Sequence, residues 1–196
     1  MIPILILAAG QSTRMQGIDK VMIPISGVPL LRRQIDCATG IGPVFVALPG
    51  VDHPRMSALH GTTATPLYVR HAAKGIGHTL REAVGELPPC DAFMIALCDL
   101  VSLTNNDLQD LVHAMVSHPN HVVWRGATCD GKPGHPVIFS ATLRPAFANL
   151  TGDQGASDII HAHKANTYLH RFIDDRARHD LDTPQDWAAW IKKSGQ

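Results

Sequence analysis

The chain has 196 residues, of which 45% are apolar and 17% charged, with 17 Lys+Arg against 17 Asp+Glu. That composition supports a buried core and excludes a disordered chain. A formal net charge of zero leaves no global field to draw the protein onto nucleic acid or an anionic membrane, so a polyanionic ligand has to be met by a local cluster.

Ile2–Ala8 is a continuous apolar run that stops at Ala9-Gly10, the pattern of a strand buried on both faces. It has no basic lead-in and no small-residue cleavage site, and it is too short to span a bilayer, so a cytoplasmic protein is expected. Pro29 opens a helix carrying Leu30, Leu31, Ile35 and Cys37, which Gly40 ends. Further strands are expected at Pro43–Leu48, Pro66–Val69, Phe93–Leu97, His121–Trp124 and Pro136–Phe139. Helices are expected at Thr79–Leu87, Thr104–Ser117, Ala141–Asn149, Ala156–His163 and Pro184–Lys192. Strands alternating with helices predict an α/β fold, a Rossmann-like three-layer sandwich with a mostly parallel sheet. Between His121 and Phe139 there is no room for a helix, so an antiparallel pair is expected there. No linker or repeat divides residues 1–196, which read as a single domain.

The four cysteines, Cys37, Cys90, Cys98 and Cys129, form no C-x-x-C pair. Nothing in their spacing suggests a zinc ribbon or a disulfide framework. The twelve histidines contain no H-x-x-x-H pair.

The loop after the first strand carries the chemistry. In Leu7-Ala8-Ala9-Gly10-Gln11-Ser12-Thr13-Arg14 the small residues let backbone N–H groups approach a ligand closely. Arg14 and Lys20 add two cations, one suited to bidentate contact with phosphate oxygens and one a compact point charge. A triphosphate uses all of these features; a loop with two solvated cations is the plainer alternative. No G-x-x-x-x-G-K-[ST] motif is present. Gly75-Ile76-Gly77-His78-Thr79-Leu80 lacks the third glycine of a dinucleotide fingerprint, which argues against an NAD-linked oxidoreductase.

Two carboxylates are candidates for a metal. Asp99 comes just past the apolar strand Phe93–Leu97, at the strand end where ligands of open α/β sheets bind. Asp182, in Asp180-Leu181-Asp182-Thr183-Pro184, suits helix capping as well as metal binding, and Asp180 competes with it. Mg²⁺ is commonly held by one or two carboxylates plus substrate phosphates.

The N-terminal string resembles the L-A-A-G-x-S-x-R-M…G…K signature of the MobA-like nucleotidyltransferases, with Gly27-Val28-Pro29-Leu30-Leu31 after it. Gly134-His135-Pro136-Val137, Leu150-Thr151-Gly152-Asp153-Gln154-Gly155-Ala156 and Asp180-Leu181-Asp182-Thr183-Pro184-Gln185-Asp186 are similar to later motifs of the molybdenum cofactor cytidylyltransferase branch. The resemblance covers nearly the whole chain. It implies a Mg²⁺-dependent enzyme that moves a nucleotidyl group, CMP from CTP in that branch, to the phosphate of molybdopterin with release of pyrophosphate. Arg14, Lys20 and Asp99 become catalytic, and Asp99 with Asp182 holds the metal. Leu7, Ala8, Ala9, Gly10, Arg14, Lys20, Gly77 and Thr79 bind the nucleotide. His135 and Asp153 face the acceptor, although a residue before Pro is also held extended for steric reasons. A molybdoenzyme partner is implied as well. The chain departs from the family at His78, where a small residue is usual, and at Leu100-Val101-Ser102, where Pro often comes soon after the metal Asp. A GTP-dependent enzyme, a sugar- or alcohol-phosphate acceptor, and a non-catalytic cofactor-delivery module are the alternatives.

Overall fold

The computed structural model describes residues 1–11, 15, 17–181 and 183–194; Arg14 and Asp182 fall outside them. In chain order the strands are β1 (Ile4–Leu7), β2 (Pro24–Ile25), β3 (Val28–Pro29), β4 (Val44–Leu48), β5 (Thr65–Tyr68), β6 (Ala92–Leu97), β7 (Val123–Ala127), β8 (Pro133–Ser140) and β9 (Thr167–Arg171). The helices are α1 (Leu30–Ala38), α2 (Ile76–Glu86), α3 (Asn105–Ser117), α4 (Arg144–Phe147), α5 (Ser157–Ala162) and α6 (Pro184–Ser194).

The main sheet runs β5-β4-β1-β6-β8-β7-β9. β5, β4, β1 and β6 are parallel, β8 is antiparallel to both of its neighbours, and β9 lies parallel to β7. This is the mostly parallel α/β sheet with an antiparallel addition that the sequence predicts.

Side-chain alternation along the strands feeds two cores. Ile4 and Ile6 of β1, with Met94 and Ala96 of β6, pack on one face against Leu31 and Ile35 of α1, Leu111 of α3 and Trp187 of α6. Leu5, Phe93 and Ile95 point the other way, against Leu80 and Val84 of α2, Phe147 of α4 and Ile159 of α5. Burial of each large apolar side chain contributes roughly 1.5–3 kcal/mol, which is why the central strands read as unbroken apolar runs.

Three local devices fix the ends of elements near the carboxyl edge of the parallel strands. Ser26 and Gly27 both have positive φ, 49° and 79°, the two-residue turn that a tight hairpin such as β2–β3 needs. Thr104 caps α3 in a capping box, its hydroxyl accepting from the Asp107 N–H while the Asp107 carboxylate accepts from the Thr104 N–H. Asp107 also takes both oxygens to Arg176 Nη1, at 3.0 and 2.8 Å, tying the C-terminal segment to the start of α3.

Candidate active site

β1 ends among its neighbours, with Leu7 paired to Leu97 of β6 and to Ala47 of β4. The loop after Leu7 therefore lies at the carboxyl edge of the parallel strands, and Asp99 leaves β6 at the same edge. The Ala8 backbone is fully engaged. Its N–H donates to the Ala47 carbonyl and its carbonyl accepts from Arg55 Nη1 at 2.6 Å. Ala8 thus anchors the loop, and the cleft walls are left to Ala9 and Gly10. Gly10 faces open space where a Cβ would stand.

Arg55 is the residue that sequence reasoning missed. It is only 3% exposed. Besides the Ala8 carbonyl it grips Asp19 with a two-pronged ion pair, Nε and Nη2 each 2.8 Å from a carboxylate oxygen. One guanidinium thereby fixes both ends of the loop, its start at Ala8 and its close at Asp19, next to Lys20. No signal in the sequence distinguishes Arg55 from a surface arginine; its partners lie 36 and 47 positions away.

Lys20 Nζ stands 2.5 Å from Asp99 Oδ2, with both side chains 17% exposed. The second oxygen, Asp99 Oδ1, is buried and has no hydrogen-bond partner among the described residues. Leaving a buried carboxylate oxygen unpaired is costly, so it suits a group that arrives with the substrate, a cation or a donor. The loop after Asp99 is held by buried Gln34 of α1, whose Nε2 donates to the Leu100 carbonyl at 3.0 Å. His135 on β8 is a second orphan, its Nδ1 buried and unpartnered among the described residues. Burial, reinforced by the charge of Arg125 and opposed by that of Asp99, pushes its pKa down to about 4, so the ring is neutral at ordinary pH.

Two clefts share the loop as a common wall. One, about 470 Å³, lies between Ala9, Gly10, Asp19, His53 and Arg55. The other, about 400 Å³, lies between Leu7, Ala9, Gly10, Gly75, Thr79 and Asp153. The structure thus gathers Leu7, Ala9, Gly10 and Thr79 around one cleft. Asp153, expected with His135 on the acceptor side, joins them there.

Gly77 has a different setting. Its N–H donates to the Gly152 carbonyl at 2.8 Å, and a Cβ would stand 2.7 Å from the Thr151 carbonyl oxygen. Gly75, at φ 112°, would place a Cβ 2.3 Å from the Gly152 oxygen. The two glycines let the start of α2 press against the 151–154 turn and so set the position of Asp153. His78 points to Arg81, whose Nη2 lies 2.8 Å from its Nδ1.

At the C-terminal end, Asp180 is exposed and forms an antiparallel bridge to Leu100, the residue after Asp99. Thr183 fills the capping role at α6 that the sequence left open for Asp182, forming a box with Asp186. Asp182 and Arg14 lie outside the described residues. Among those residues no group of three or more His, Cys, Asp or Glu side chains is placed to hold a metal ion. No described helix is long and apolar enough to cross a membrane.

Comparison with known proteins identifies the family and the fold. The sequence profile of the MobA-like NTP transferase domain matches residues 4–167. The bifunctional protein GlmU of Roseobacter denitrificans is 31% identical over 177 residues, 87% of this chain and 36% of that protein. The chain spans about a quarter to a third of the length of the curated relatives it matches. Two solved structures share the fold across the whole length. Rv0371c from Mycobacterium tuberculosis, in complex with manganese, superposes with a TM-score of 0.72 at 22% identity, covering 97% of this chain and 98% of that one. CMP:2-keto-3-deoxy-manno-octonic acid synthetase complexed with CTP gives a TM-score of 0.75 at 15% identity, covering 100% and 99%.

Proposed function

The chain belongs to the MobA-like NTP transferase family, and from that premise we propose that it transfers CMP from CTP to the phosphate of molybdopterin with release of pyrophosphate. The observation that carries the reading is the Lys20–Asp99 pair, 2.5 Å apart beside the loop after β1, with Asp99 Oδ1 buried and unpartnered. A cation and a carboxylate held together at a strand end serve a triphosphate better than either alone, since nucleotidyl transfer needs positioning and charge neutralisation more than a protein nucleophile.

In the proposed reaction an acceptor phosphate oxygen forms a bond to the α-phosphorus of the NTP, and the bond from that phosphorus to the pyrophosphate oxygen breaks. Lys20 and Arg14 neutralise charge on the transferring and leaving groups. The Ala9–Gly10 backbone and the Leu7–Thr79–Asp153 cleft hold the nucleotide, with Arg55 keeping the loop in shape. Asp99, with Asp182, is the set of residues that would hold Mg²⁺, and the unpartnered Asp99 oxygen fits that role. The metal supplies neutralisation of phosphate charge. Preference for CTP draws on the CTP named for the synthetase structure of the same fold. That synthetase also favours a second reading, in which the acceptor is a sugar acid or its phosphate.

The deciding experiment is pyrophosphate release from ATP, CTP, GTP and UTP in turn, with Mg²⁺, with and without molybdopterin. Release from CTP that requires the pterin supports the proposal. Release that requires a sugar acid or a sugar phosphate instead moves the acceptor. A folded protein that releases none from any NTP is a binding module for cofactor delivery.

A further inference from the structure

A third cavity, about 350 Å³, opens over β7, β9 and α5. Its polar lining is made of Arg125, Ser157, His161, Lys164 and Thr167, with no carboxylate among them. Pro133, Ile160 and Leu169 supply apolar walls. In a chain with no net charge this is a local concentration of donors and cations.

Arg125 is the informative member. It is half-buried, and its Nε donates to the Gly134 carbonyl at 2.7 Å. Among the described residues it has no carboxylate partner. Burial and the nearby Arg178 both oppose its charge. A guanidinium desolvated beside another cation without an acid to compensate is unfavourable unless a ligand brings the negative charge.

The position is equally telling. Arg125 bonds to the residue just before His135, and both Arg125 and Asp99 act electrostatically on His135. In the sheet β8 lies between β6, which leads to Asp99, and β7, which carries Arg125. Two strand spacings, roughly 10 Å, separate the two strands; the Arg125 backbone is level with Ile95, and its side chain runs along the sheet toward the Asp99 end as far as the Gly134 carbonyl. The separation is about the length of one aromatic ring with a substituent at each end.

We propose that this cavity receives a second, anionic end of the acceptor, with Arg125 as its main charge partner and Lys164 at the rim, while the acceptor's phosphate lies at Asp99. The inference rests on the nucleotidyl-transfer reading for the reacting end and not on the pterin as acceptor, and it names an acceptor class of its own: bifunctional molecules with a phosphate at one end and a carboxylate or comparable anion at the other, joined by a flat apolar body. His135, neutral and lying between the two charged ends, accepts or donates one hydrogen bond to that body.

The test is isothermal titration of the full chain, in Mg²⁺, with 4-carboxyphenyl phosphate and with phenyl phosphate. The carboxylated compound is expected to bind about ten-fold tighter, the effect of one charge-assisted hydrogen-bonded contact. Arg125→Gln should abolish that preference. Lys164→Ala, at an exposed side chain whose loss disturbs no packing, should reduce it about three-fold. Equal affinity for the two compounds, no binding of either at millimolar concentration, or a full preference retained in both variants overturns the proposal. Turnover separates the two readings. Failure of every NTP to release pyrophosphate, with the binding preference intact, removes the transfer reading and supports the cavity as an anion site; turnover without the preference overturns the cavity alone.

Discussion

Lys20 Nζ and Asp99 Oδ2 stand 2.5 Å apart although 79 positions separate them in the chain. The two are joined because β1 and β6 are adjacent and parallel, so the loops that leave their carboxyl ends emerge at the same edge. Each charge is partly desolvated, and each reduces the cost of holding the other there. Asp99→Asn is expected to abolish pyrophosphate release while leaving the circular dichroism spectrum unchanged. Lys20→Ala should slow NTP turnover by roughly 10²–10³-fold if the ammonium acts on the transition state. Wild-type rates in either variant would place the phosphates elsewhere. Asp182→Asn should cost far more activity than Asp180→Asn; the reverse order exchanges their roles.

The Arg55 clamp gives a prediction about stability and function together. Arg55 holds both Asp19 and the Ala8 carbonyl while almost fully buried. Arg55→Met leaves the Asp19 charge without its partner, and roughly 3 kcal/mol of folding stability should go with it, measured by urea unfolding. Arg55→Lys keeps the charge but lacks the fork, so it should recover only part of that loss. In both variants KM for the NTP should rise more than kcat falls, because the loop is loosened and the reacting groups are kept. An unchanged KM would mean that the loop keeps its shape without the clamp.

Much of this architecture was legible in the sequence, and the gaps have physical causes. The central strands are buried on both faces, so their apolar runs stand out. α3 announces itself through Thr104 and Asp107, a local capping pattern. β9 was missed because Thr167–Arg171 is an edge strand whose His170 and Arg171 look toward solvent or partly so, and it has no apolar alternation to read. The β2–β3 hairpin was missed because each strand is only two residues long. α2 starts at Ile76, before the expected Thr79, and the reason for Gly77 is the carbonyl of a turn more than seventy residues later. The sequence brought Lys20 and Asp99 forward as separate candidates. Arg55, Asp19 and Gln34 act through long-range contacts that leave no local trace.

Those close contacts make α2 and the 151–154 turn a single unit. Gly77→Ala forces a methyl group to within 2.7 Å of the Thr151 carbonyl oxygen, so backbone must move. The expected cost is about 1–3 kcal/mol, typical of overpacking, seen as a lower urea midpoint. Displacing the turn also displaces Asp153 from the cleft it shares with Leu7, Gly10 and Thr79, so under the proposed function KM for the NTP should increase. A variant as stable and as active as the wild type would show that the turn can retreat without moving the cleft.

His135 supplies the pH dependence. Burial, with Arg125 alongside, holds its folded-state pKa at about 4, below its ordinary value of 6.5. The unfolded chain therefore takes up a proton on this ring as the pH falls through 6.5, while the folded chain does not until about 4. Stability present at neutral pH is lost across that window, by up to roughly 3 kcal/mol from this group. Working in EDTA keeps metal release from contributing. Between urea unfolding at neutral pH and near pH 4.5, His135→Gln should lose less stability than the wild type, because a side chain that does not titrate has no proton to take up. Equal acid losses in the two proteins would mean that the ring is already protonated, or solvated, in the folded state. A neutral ring between Arg125 and Asp99 would then be excluded as the feature that spaces the two charged ends of the site.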